Sequence, residues 1–391
     1  MKQKKKIISR LKIISQYGVS QLLAVFSILL VSLIIVRFHS VELWGEYAEL
    51  LIWSNFFLLF LSFGNHDFLL KEFSKSPSTI NQQWTSNLIA RSILLIPSFL
   101  LIYFIPIFNS LEFLIFILIL LQFFNQSFKV LIVYHRKFNY TIWVEIGFNI
   151  CLFAIIFFTL ETIDLKGLII AIIIAQALKL IGYSFLLKGF NNIRYHFQFD
   201  ELKRAAPFFV PLAVGTIRVK VDAYYGTHFF NVSDLSKYQI FISFLALAQM
   251  SSSFAITPYL KNYYRSSTSL INKIQRRFFA FGWLFAIAIV VFMYLIISFV
   301  YGLDFSINQY ILAFIFIIPL FLHVLLVSEY YKKDEQNKIA LFASIIVLFQ
   351  IGLGYFLINK WHINGALILK VLGQWGIVII LWLWIRNKKN E

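Results

Sequence analysis

Apolar segments of about 20 residues recur along the whole chain, separated by short polar stretches. A helix needs about 20 predominantly apolar residues to cross a bilayer. Of the 391 residues, 60% are hydrophobic and 14% are charged, against roughly 45–50% apolar residues in a soluble domain. The mean hydropathy is +0.78. The sequence therefore predicts an all-α integral membrane protein with no separate soluble domain.

Hydropathy predicts twelve transmembrane helices. They lie near residues 14–37, 43–63, 86–107, 111–133, 141–160, 165–187, 205–228, 238–258, 278–300, 309–330, 338–358 and 364–385. An even number of crossings places both termini on the same side of the membrane. The basic N-terminus, MKQKKKIISRLK, precedes an apolar stretch without a small-residue cleavage site. We therefore interpret it as a retained first helix and not as a cleaved signal peptide.

The Lys and Arg residues, 35 in all, are distributed asymmetrically over this predicted topology. Most lie in the N-terminal segment, in alternate loops and in the C-terminal tail, whereas the opposite loops contain Lys166, Lys237 and Lys360. The side rich in Lys and Arg faces the cytoplasm, which predicts two cytoplasmic termini. The net charge of +17 then mainly reflects topology, and we expect no nucleic-acid partner.

Two short segments indicate an internal repeat. SVELWGEY at 40–47 aligns without gaps with NVSDLSKY at 231–238, and each follows the first helix of a predicted six-helix half. In this alignment Arg37 falls opposite His228. Repeats of six helices share one orientation and are related by a pseudo-two-fold axis along the membrane normal. We therefore predict two six-helix bundles, residues 1–190 and 191–391.

The seventh predicted helix contains the segment PFFVPLAVGTIRVKVDAYYG, with Arg218, Lys220 and Asp222 at membrane depth. Arg218 and Asp222 are four residues apart and could pair on one helix face. Lys220 lies roughly 200° around the helix from Arg218 and needs another partner. Two interpretations remain open: a self-neutralising pair that stabilises the bundle, or a face that lines a hydrated cavity, where intramembrane ionisable residues usually lie.

Basic residues outnumber acidic ones in the predicted membrane-spanning regions. The basic residues are Arg37, Arg91, Lys129, Lys179, Arg218, Lys220 and Lys370, and the acidic residues are Glu145, Asp222 and Glu329. Three of the basic residues, Arg91, Lys129 and Lys179, lie close enough to the cytoplasmic side to extend to the interface. Arg37 and Lys370 lie nearer the outer side, where basic residues are less expected. This excess of positive charge favours a negatively charged ligand.

Polar residues also cluster within two predicted helices. Gln122, Asn125 and Gln126 lie in the fourth, and Gln249 precedes three serines in the eighth. Such residues form hydrogen bonds between membrane helices, and contacts to sugar hydroxyl groups are the alternative. His323 lies in an apolar stretch and is interpreted as an interior histidine.

The sequence gives little support for an enzyme or a cofactor site. Cys151 is the only cysteine, which excludes an intrachain disulfide and a thiolate metal site. The chain lacks a Gly-rich phosphate loop, a His/Cys metal cluster and a spacing that suggests a nucleophile with its base. We therefore expect a non-enzymatic protein with no bound cofactor.

Several segments resemble the Wzx-type polysaccharide flippases of the multidrug/oligosaccharidyl-lipid/polysaccharide exporter superfamily. In the first half these are VRFHSVELWGEY (36–47) and FGNHDFLLKEFSK (63–75). In the second half they are the seventh helix, with Pro207 and Asp222, followed by LSKYQIFISF and ITPYLKNYYR. Ser236 departs from the pattern, because a glycine is common at this place in the family.

The resemblance implies a bacterial inner-membrane protein that moves an undecaprenyl-pyrophosphate-linked oligosaccharide from the cytoplasmic to the outer leaflet. It implies alternating access, coupled in many family members to a proton or sodium gradient, in the assembly of O-antigen or capsule. Membrane lipids, a polysaccharide polymerase and glycosyltransferases are the partners that it suggests. A pyrophosphate cannot cross hydrocarbon unpaired without a large cost, and basic side chains provide charge-assisted hydrogen bonds to it.

The residues expected to contact this substrate follow from the charge pattern. The preferred contacts are Arg218, Lys220, Arg37 and Lys370, and the wider set adds Lys179, Arg91, Lys129, Asn125 and Gln249. Asp222 is expected to orient Arg218 or to take part in ion coupling.

Two other functions are alternatives to the flippase. A cation-coupled multidrug exporter would share the fold, and we would expect its cavity to contain acidic residues for cationic drugs. A membrane-bound polymerase, ligase or glycosyltransferase would need large outer loops, and the predicted outer loops are short. The excess of basic residues favours the flippase over both.

Overall fold

The protein is described by a computed structural model that covers residues 2–187, 200–256, 263, 267–333 and 335–387. Regular secondary structure within these residues is entirely helical. Nine stretches in this part of the chain are long and apolar enough to cross a bilayer. Many large apolar side chains are exposed, and Phe157, Phe158 and Phe299 are each more than 70% exposed, as lipid-facing residues of a membrane protein are. The all-α membrane fold predicted from hydropathy is confirmed, and the number twelve stays a prediction.

The first half of the chain forms eight helices. These are α1 (Lys2–Phe38), α2 (Val41–Ser62), α3 (Asn65–Lys75), α4 (Ile80–Ser92), α5 (Leu95–Tyr103), α6 (Glu112–His135), α7 (Phe138–Thr159) and α8 (Leu165–Ser184). The third predicted span, 86–107, is broken between α4 and α5. Pro97 explains the break, because its nitrogen has no hydrogen to donate to the Ile93 carbonyl group and its ring clashes with that group.

The second half forms six helices. These are α9 (Asp200–Phe229), α10 (Val232–Ile256), α11 (Thr268–Leu295), α12 (Ile307–Ile317), α13 (Leu320–Lys332) and α14 (Gln336–Asn387). A π-helical turn, Ile296–Tyr301, extends α11. The predicted span 309–330 is divided at Pro319 into α12 and α13, whereas Pro207 and Pro211 lie inside α9. The predicted end of the eighth span, at 257–258, lies outside the described residues.

Helix α14 is a helical hairpin. His362 has φ 44° and ψ −125°, which reverses the chain between the two spans predicted at 338–358 and 364–385. Glycines on one arm contact the other: a Cβ at Gly354 would lie 3.0 Å from Leu369, and one at Gly376 would lie 2.8 Å from Ile346. Small residues allow two membrane helices to pack closely, so these glycines hold the arms together.

The chain divides into two compact units. The N-terminal unit comprises Met1–Val31 and Glu46–Ala213, and the C-terminal unit comprises Ser32–Gly45 and Val214–Glu391. Helices α1 and α9 each contribute residues to both units. The predicted boundary between residues 190 and 191 lies outside the described residues.

Candidate functional site

The densest intramembrane charge in the C-terminal unit lies where α9, α10 and the second arm of α14 meet. Helix α9 provides Arg218, Lys220 and Asp222, α10 provides Tyr238, and α14 provides Lys370. We call these five residues the charged cluster. Asp222 and Tyr238 are fully buried, while Arg218 and Lys370 are each 9% exposed.

Asp222 forms an ion pair with Lys370. The Lys370 Nζ atom lies 2.8 Å from Asp222 Oδ2 and also donates to the Val219 carbonyl oxygen at 2.9 Å. The Tyr238 hydroxyl donates to the same carboxylate oxygen. Asp222 therefore pairs with Lys370, which is 148 positions away in the sequence, and not with Arg218 as the helix spacing suggested. A buried pair of this kind is strongly destabilised when one partner is removed.

The second carboxylate oxygen of Asp222 takes no part in these contacts. Asp222 Oδ1 is buried and has no hydrogen-bond partner within the described part of the chain. An ionised carboxylate accepts several hydrogen bonds, and a buried acceptor without a partner is costly. The carboxylate therefore retains capacity for a further donor or cation.

Arg218 contacts the backbone of α14 and not a carboxylate. Its Nη1 atom donates to the Gly373 carbonyl oxygen at 3.4 Å, and no other hydrogen bond to a described residue uses its guanidinium. The guanidinium has five N–H donors. His323 lies close enough to Arg218 to interact with it electrostatically. Arg218 is thus positioned by protein contacts while most of its donors remain available.

Lys220 lies close enough to Asp222 and Lys370 to interact with both electrostatically. Its half-buried side chain forms no ion pair with the described residues. The charged cluster therefore contains three basic groups, Arg218, Lys220 and Lys370, and one carboxylate. With all four ionised, it has a net charge of two positive units.

A cavity of about 320 Å³ lies between α10 and α13, and we call it the polar cavity because several polar side chains line it beside Leu320, Val324 and Val327. Gln249, Ser252 and Ser253 line it from α10, and His323 and Ser328 line it from α13. Because His323 also interacts with Arg218, this cavity and the charged cluster share a neighbour. Gln249, a predicted contact residue, thus lines the same cavity as His323.

Arg37 lies elsewhere in the C-terminal unit. It is an exposed residue in the last turn of α1, and its Nη1 atom lies against Gly302. Gly302 has φ 67° and ends the π-helical turn. One turn earlier in α1, the Ser32 and Tyr301 hydroxyl oxygens are 2.8 Å apart. These contacts fix the end of α1 and involve no member of the charged cluster.

Arg91 is fixed inside the N-terminal unit. It is 2% exposed and donates to Asn87 Oδ1 at 2.8 Å, to the Leu61 carbonyl oxygen at 3.1 Å and to Ser127 Oγ at 2.9 Å. Its guanidinium lies 5.0 Å from the centre of the Phe123 ring. The side chain does not extend to the interface, and this environment favours a structural role.

Two other predicted residues of the N-terminal unit, Lys179 and Asn125, also have protein partners. Lys179 Nζ lies 2.6 Å from Glu145 Oε1, and the Tyr183 hydroxyl donates to the same oxygen at 3.0 Å. Asn125 donates to Gln176 Oε1 at 2.9 Å, which is the interhelical hydrogen bond proposed as the alternative to sugar binding. Lys129 is exposed.

The sequence analysis did not identify Tyr238 or Gly373 as members of the site. Tyr238 appears in the sequence only as the end of the second repeat segment, and its bond to Asp222 depends on how α10 packs. Gly373 contributes a backbone carbonyl group, for which the sequence provides no signal.

No family model matches the sequence, and no curated protein matches it significantly. Solved structures do match. The lipid II flippase MurJ, in an inward closed conformation, has 16% identity and a TM-score of 0.72 over 95% of this chain and 87% of that chain. The eukaryotic MATE transporter AtDTX14 has 14% identity and a TM-score of 0.64 over 97% and 96%. The chain has the fold of these transporters.

A third match to this exporter fold is a MOP superfamily transporter from Pyrococcus furiosus. It has 11% identity and a TM-score of 0.55 over 96% of this chain and 95% of that chain, and it is described as having a binding pocket of reverse polarity. All three matches cover most of both chains. The exporter fold agrees with the multi-pass membrane architecture and with the fold that the family resemblance implied.

Proposed function

We propose that this protein is a Wzx-type flippase that moves an undecaprenyl-pyrophosphate-linked oligosaccharide from the cytoplasmic to the outer leaflet. The proposal rests mainly on the charged cluster, where three basic groups accompany a single carboxylate at membrane depth. An uncompensated buried charge is expensive, so a cluster of this composition favours an anionic ligand.

The pyrophosphate group fits the donors of the cluster. A guanidinium forms bidentate, charge-assisted hydrogen bonds with phosphate oxygens, and Arg218 uses one of its donors on Gly373. Lys220 adds a second positive group without a carboxylate of its own. Lys370 is shared, because a phosphate that reaches it competes with Asp222 for the same ammonium group.

The polar cavity suits the sugar part of the same molecule. Gln249, Ser252 and His323 present side chains that donate and accept hydrogen bonds, which sugar hydroxyl groups require. His323 also interacts electrostatically with Arg218, so we expect a phosphate at Arg218 to leave the first sugar on the side of this cavity. This arrangement supports a substrate in which a sugar and a phosphate are directly linked.

The family resemblance and the distribution of Lys and Arg support a proposal for the wider setting. The protein would lie in the inner membrane of a bacterium with both termini in the cytoplasm and would act with glycosyltransferases and a polymerase in O-antigen or capsule assembly. Alternating access coupled to a proton or sodium gradient is the expected mode of transport. The free oxygen of Asp222 is our candidate for the coupling site.

A multidrug exporter is the second candidate. Two observations favour it: MATE transporters share the fold, and the buried Asp222 has one oxygen without a partner. Lys370, however, already neutralises this carboxylate, and the remaining charges are positive. The composition of the cluster therefore favours the anionic, lipid-linked substrate.

Reconstituted vesicles provide the test. Purified protein is inserted into liposomes that contain undecaprenyl-pyrophosphate-linked oligosaccharide, and the sugar exposed on the outside is measured over time by periodate oxidation. We expect Arg218→Gln and Lys220→Gln to slow translocation at least tenfold, or about 1.4 kcal/mol. The matched control is Lys166→Gln, at an exposed position of α8. Wild-type rates in both cluster variants, or uptake of a cationic dye without sugar translocation, would contradict the proposal.

A further inference from the structure

A second cavity in the C-terminal unit forms a groove of about 630 Å³ between α11 and the second arm of α14. Both helices pack on α13, and Leu322 of α13 lies in the lining. Helix α11 contributes Arg276 and Phe279, and α14 contributes Trp375, Trp382 and Arg386. The proposed translocation mechanism uses none of these residues.

The lining changes from charged to apolar along the groove. Arg276 lies near the start of α11 and Arg386 near the end of α14, so both mark one end of the unit. Trp375 precedes Arg386 by eleven residues, which is about 16 Å along a helix. That length is close to half of the roughly 30 Å hydrocarbon thickness. Along α14, the groove thus runs from a basic mouth to an apolar interior about one leaflet deep, while on α11 Arg276 lies about one turn from Phe279.

Within the described part of the chain, the mouth of the groove has an excess of positive charge. Arg276 and Arg386 are exposed, and neither forms an ion pair with a described residue. Glu329 is the acidic residue on α13 near this end, and it pairs with Lys333 at 3.0 Å and accepts a hydrogen bond from Gln275 at 2.8 Å. The arginines at the mouth are therefore available to a ligand.

The aromatic wall of the groove is held in place by the protein. Trp375 donates from its indole nitrogen to the Ile315 carbonyl oxygen at 2.9 Å, and its ring contacts Phe279 edge to face at 6.4 Å. The Arg386 guanidinium lies 5.4 Å from the centre of the Trp382 ring. Trp382, one turn from Arg386, fits the preference of tryptophan for the depth at which headgroups meet hydrocarbon, while Trp375 and Phe279 form the apolar surface deeper in the groove.

The groove is separate from the charged cluster. Lys370 and Trp375 are five residues apart on the same arm, which places their side chains about 140° apart around the helix. Lys370 points to Asp222, while Trp375 lines the groove. A molecule in the groove therefore occupies the other side of α14.

We propose that this groove binds an anionic phospholipid of the leaflet on the side of the C-terminus. Its phosphate contacts Arg276 and Arg386, and an acyl chain lies along Phe279 and Trp375. The positive charge of the mouth excludes a preference for cationic lipid. The basic mouth followed by an apolar interior matches the phosphate headgroup followed by the acyl chains of a phospholipid. The positive-inside rule assigns this end to the cytoplasmic side, where anionic lipids interact with basic residues.

Tryptophan quenching tests the proposal with the intact protein in nanodiscs. Phosphatidylglycerol with brominated acyl chains is titrated into a phosphatidylcholine background, and brominated phosphatidylcholine is titrated in parallel. The quenching of Trp375 itself is obtained by subtracting the fluorescence of the Trp375→Phe variant from that of the wild type. We expect saturable quenching of Trp375 by the anionic lipid at mole fractions where the zwitterionic lipid quenches only in proportion to its abundance.

Substitutions at the mouth refine the test. Arg276→Gln and Arg386→Gln are each expected to weaken apparent binding about fivefold. Arg277→Gln is the matched control, because Arg277 is exposed on the same turn but is not part of the lining. If brominated phosphatidylglycerol and brominated phosphatidylcholine quench the wild-type protein equally, the proposal is overturned. Displacement of phosphatidylglycerol by equimolar undecaprenyl phosphate would also overturn it and would reassign the groove to the lipid tail of the substrate.

Discussion

Removal of the Lys370 ammonium group is expected to destabilise the C-terminal unit strongly, because it leaves Asp222 buried without its cation. The Nζ–Oδ2 distance is 2.8 Å and Asp222 is 0% exposed. At an effective dielectric constant of about 20, two unit charges at this distance attract each other by roughly 6 kcal/mol. Desolvation opposes part of this gain, and removal of one partner of a buried pair typically costs about 3–5 kcal/mol. We predict a loss in this range for Lys370→Met.

The double variant Asp222→Asn/Lys370→Met separates stability from transport. It removes both charges, so most of the lost stability should return, and the coupling energy between the two sites should reach about 3 kcal/mol. Unfolding is measured in detergent by denaturant titration, and translocation is measured in the vesicle assay. Lys370 is a proposed phosphate contact, so the stable double variant is expected to translocate poorly.

Lys360→Met is the control for this pair, because Lys360 is exposed and close in sequence. It should unfold like the wild type. The reasoning is refuted if Lys370→Met is as stable as the wild type, or if the two single losses simply add in the double variant. A stable double variant with normal translocation would remove Lys370 from the proposed substrate contacts.

Three further predictions concern residues outside this pair. Gly45→Ala introduces a Cβ that overlaps the Val232 carbonyl group, and we expect a loss of about 1–3 kcal/mol, measured as a lower unfolding midpoint; an unchanged midpoint would disprove the close approach. Arg91→Met leaves the buried acceptors Asn87 and Leu61 unpaired, at about 1–3 kcal/mol for each unpaired group, while translocation per folded molecule should stay normal; a specific transport defect would contradict its structural role. Gln249→Ala should reduce translocation of the sugar-bearing lipid but not the binding of undecaprenyl pyrophosphate, measured by competition; equal effects on both ligands would exclude the cavity as a sugar site.

The helices were predictable because each depends on a local signal. Helix α2, Val41–Ser62, corresponds to the predicted span 43–63, and α6, Glu112–His135, to the predicted span 111–133. Twenty apolar residues in a row predict a membrane helix almost regardless of what surrounds them. The break between α4 and α5 was not predicted, because Pro97 could equally have produced a kink in a continuous helix.

The partners within the candidate site were much less predictable. The sequence placed Arg218, Lys220 and Asp222 on one helix, and the structure confirms that they share α9. The choice of Lys370 as the partner of Asp222 depends on the packing of α14 against α9, which no local pattern encodes. The position of Arg91 was equally unpredictable. The sequence suggested that its side chain extends to the interface, but acceptors from α2, α4 and α6 hold it inside the unit.

The hairpin of α14 determines the direction in which Lys370 points. A Cβ at Gly373 would overlap the side-chain amide of Gln350, and a Cβ at Gly365 would overlap the Leu357 carbonyl group, so the two arms interlock at positions where only a hydrogen atom fits. If one arm slid by a single residue, Lys370 would turn by about 100° and lose Asp222. These glycines thus fix the register of the two arms and, through it, the ion pair between Lys370 and Asp222.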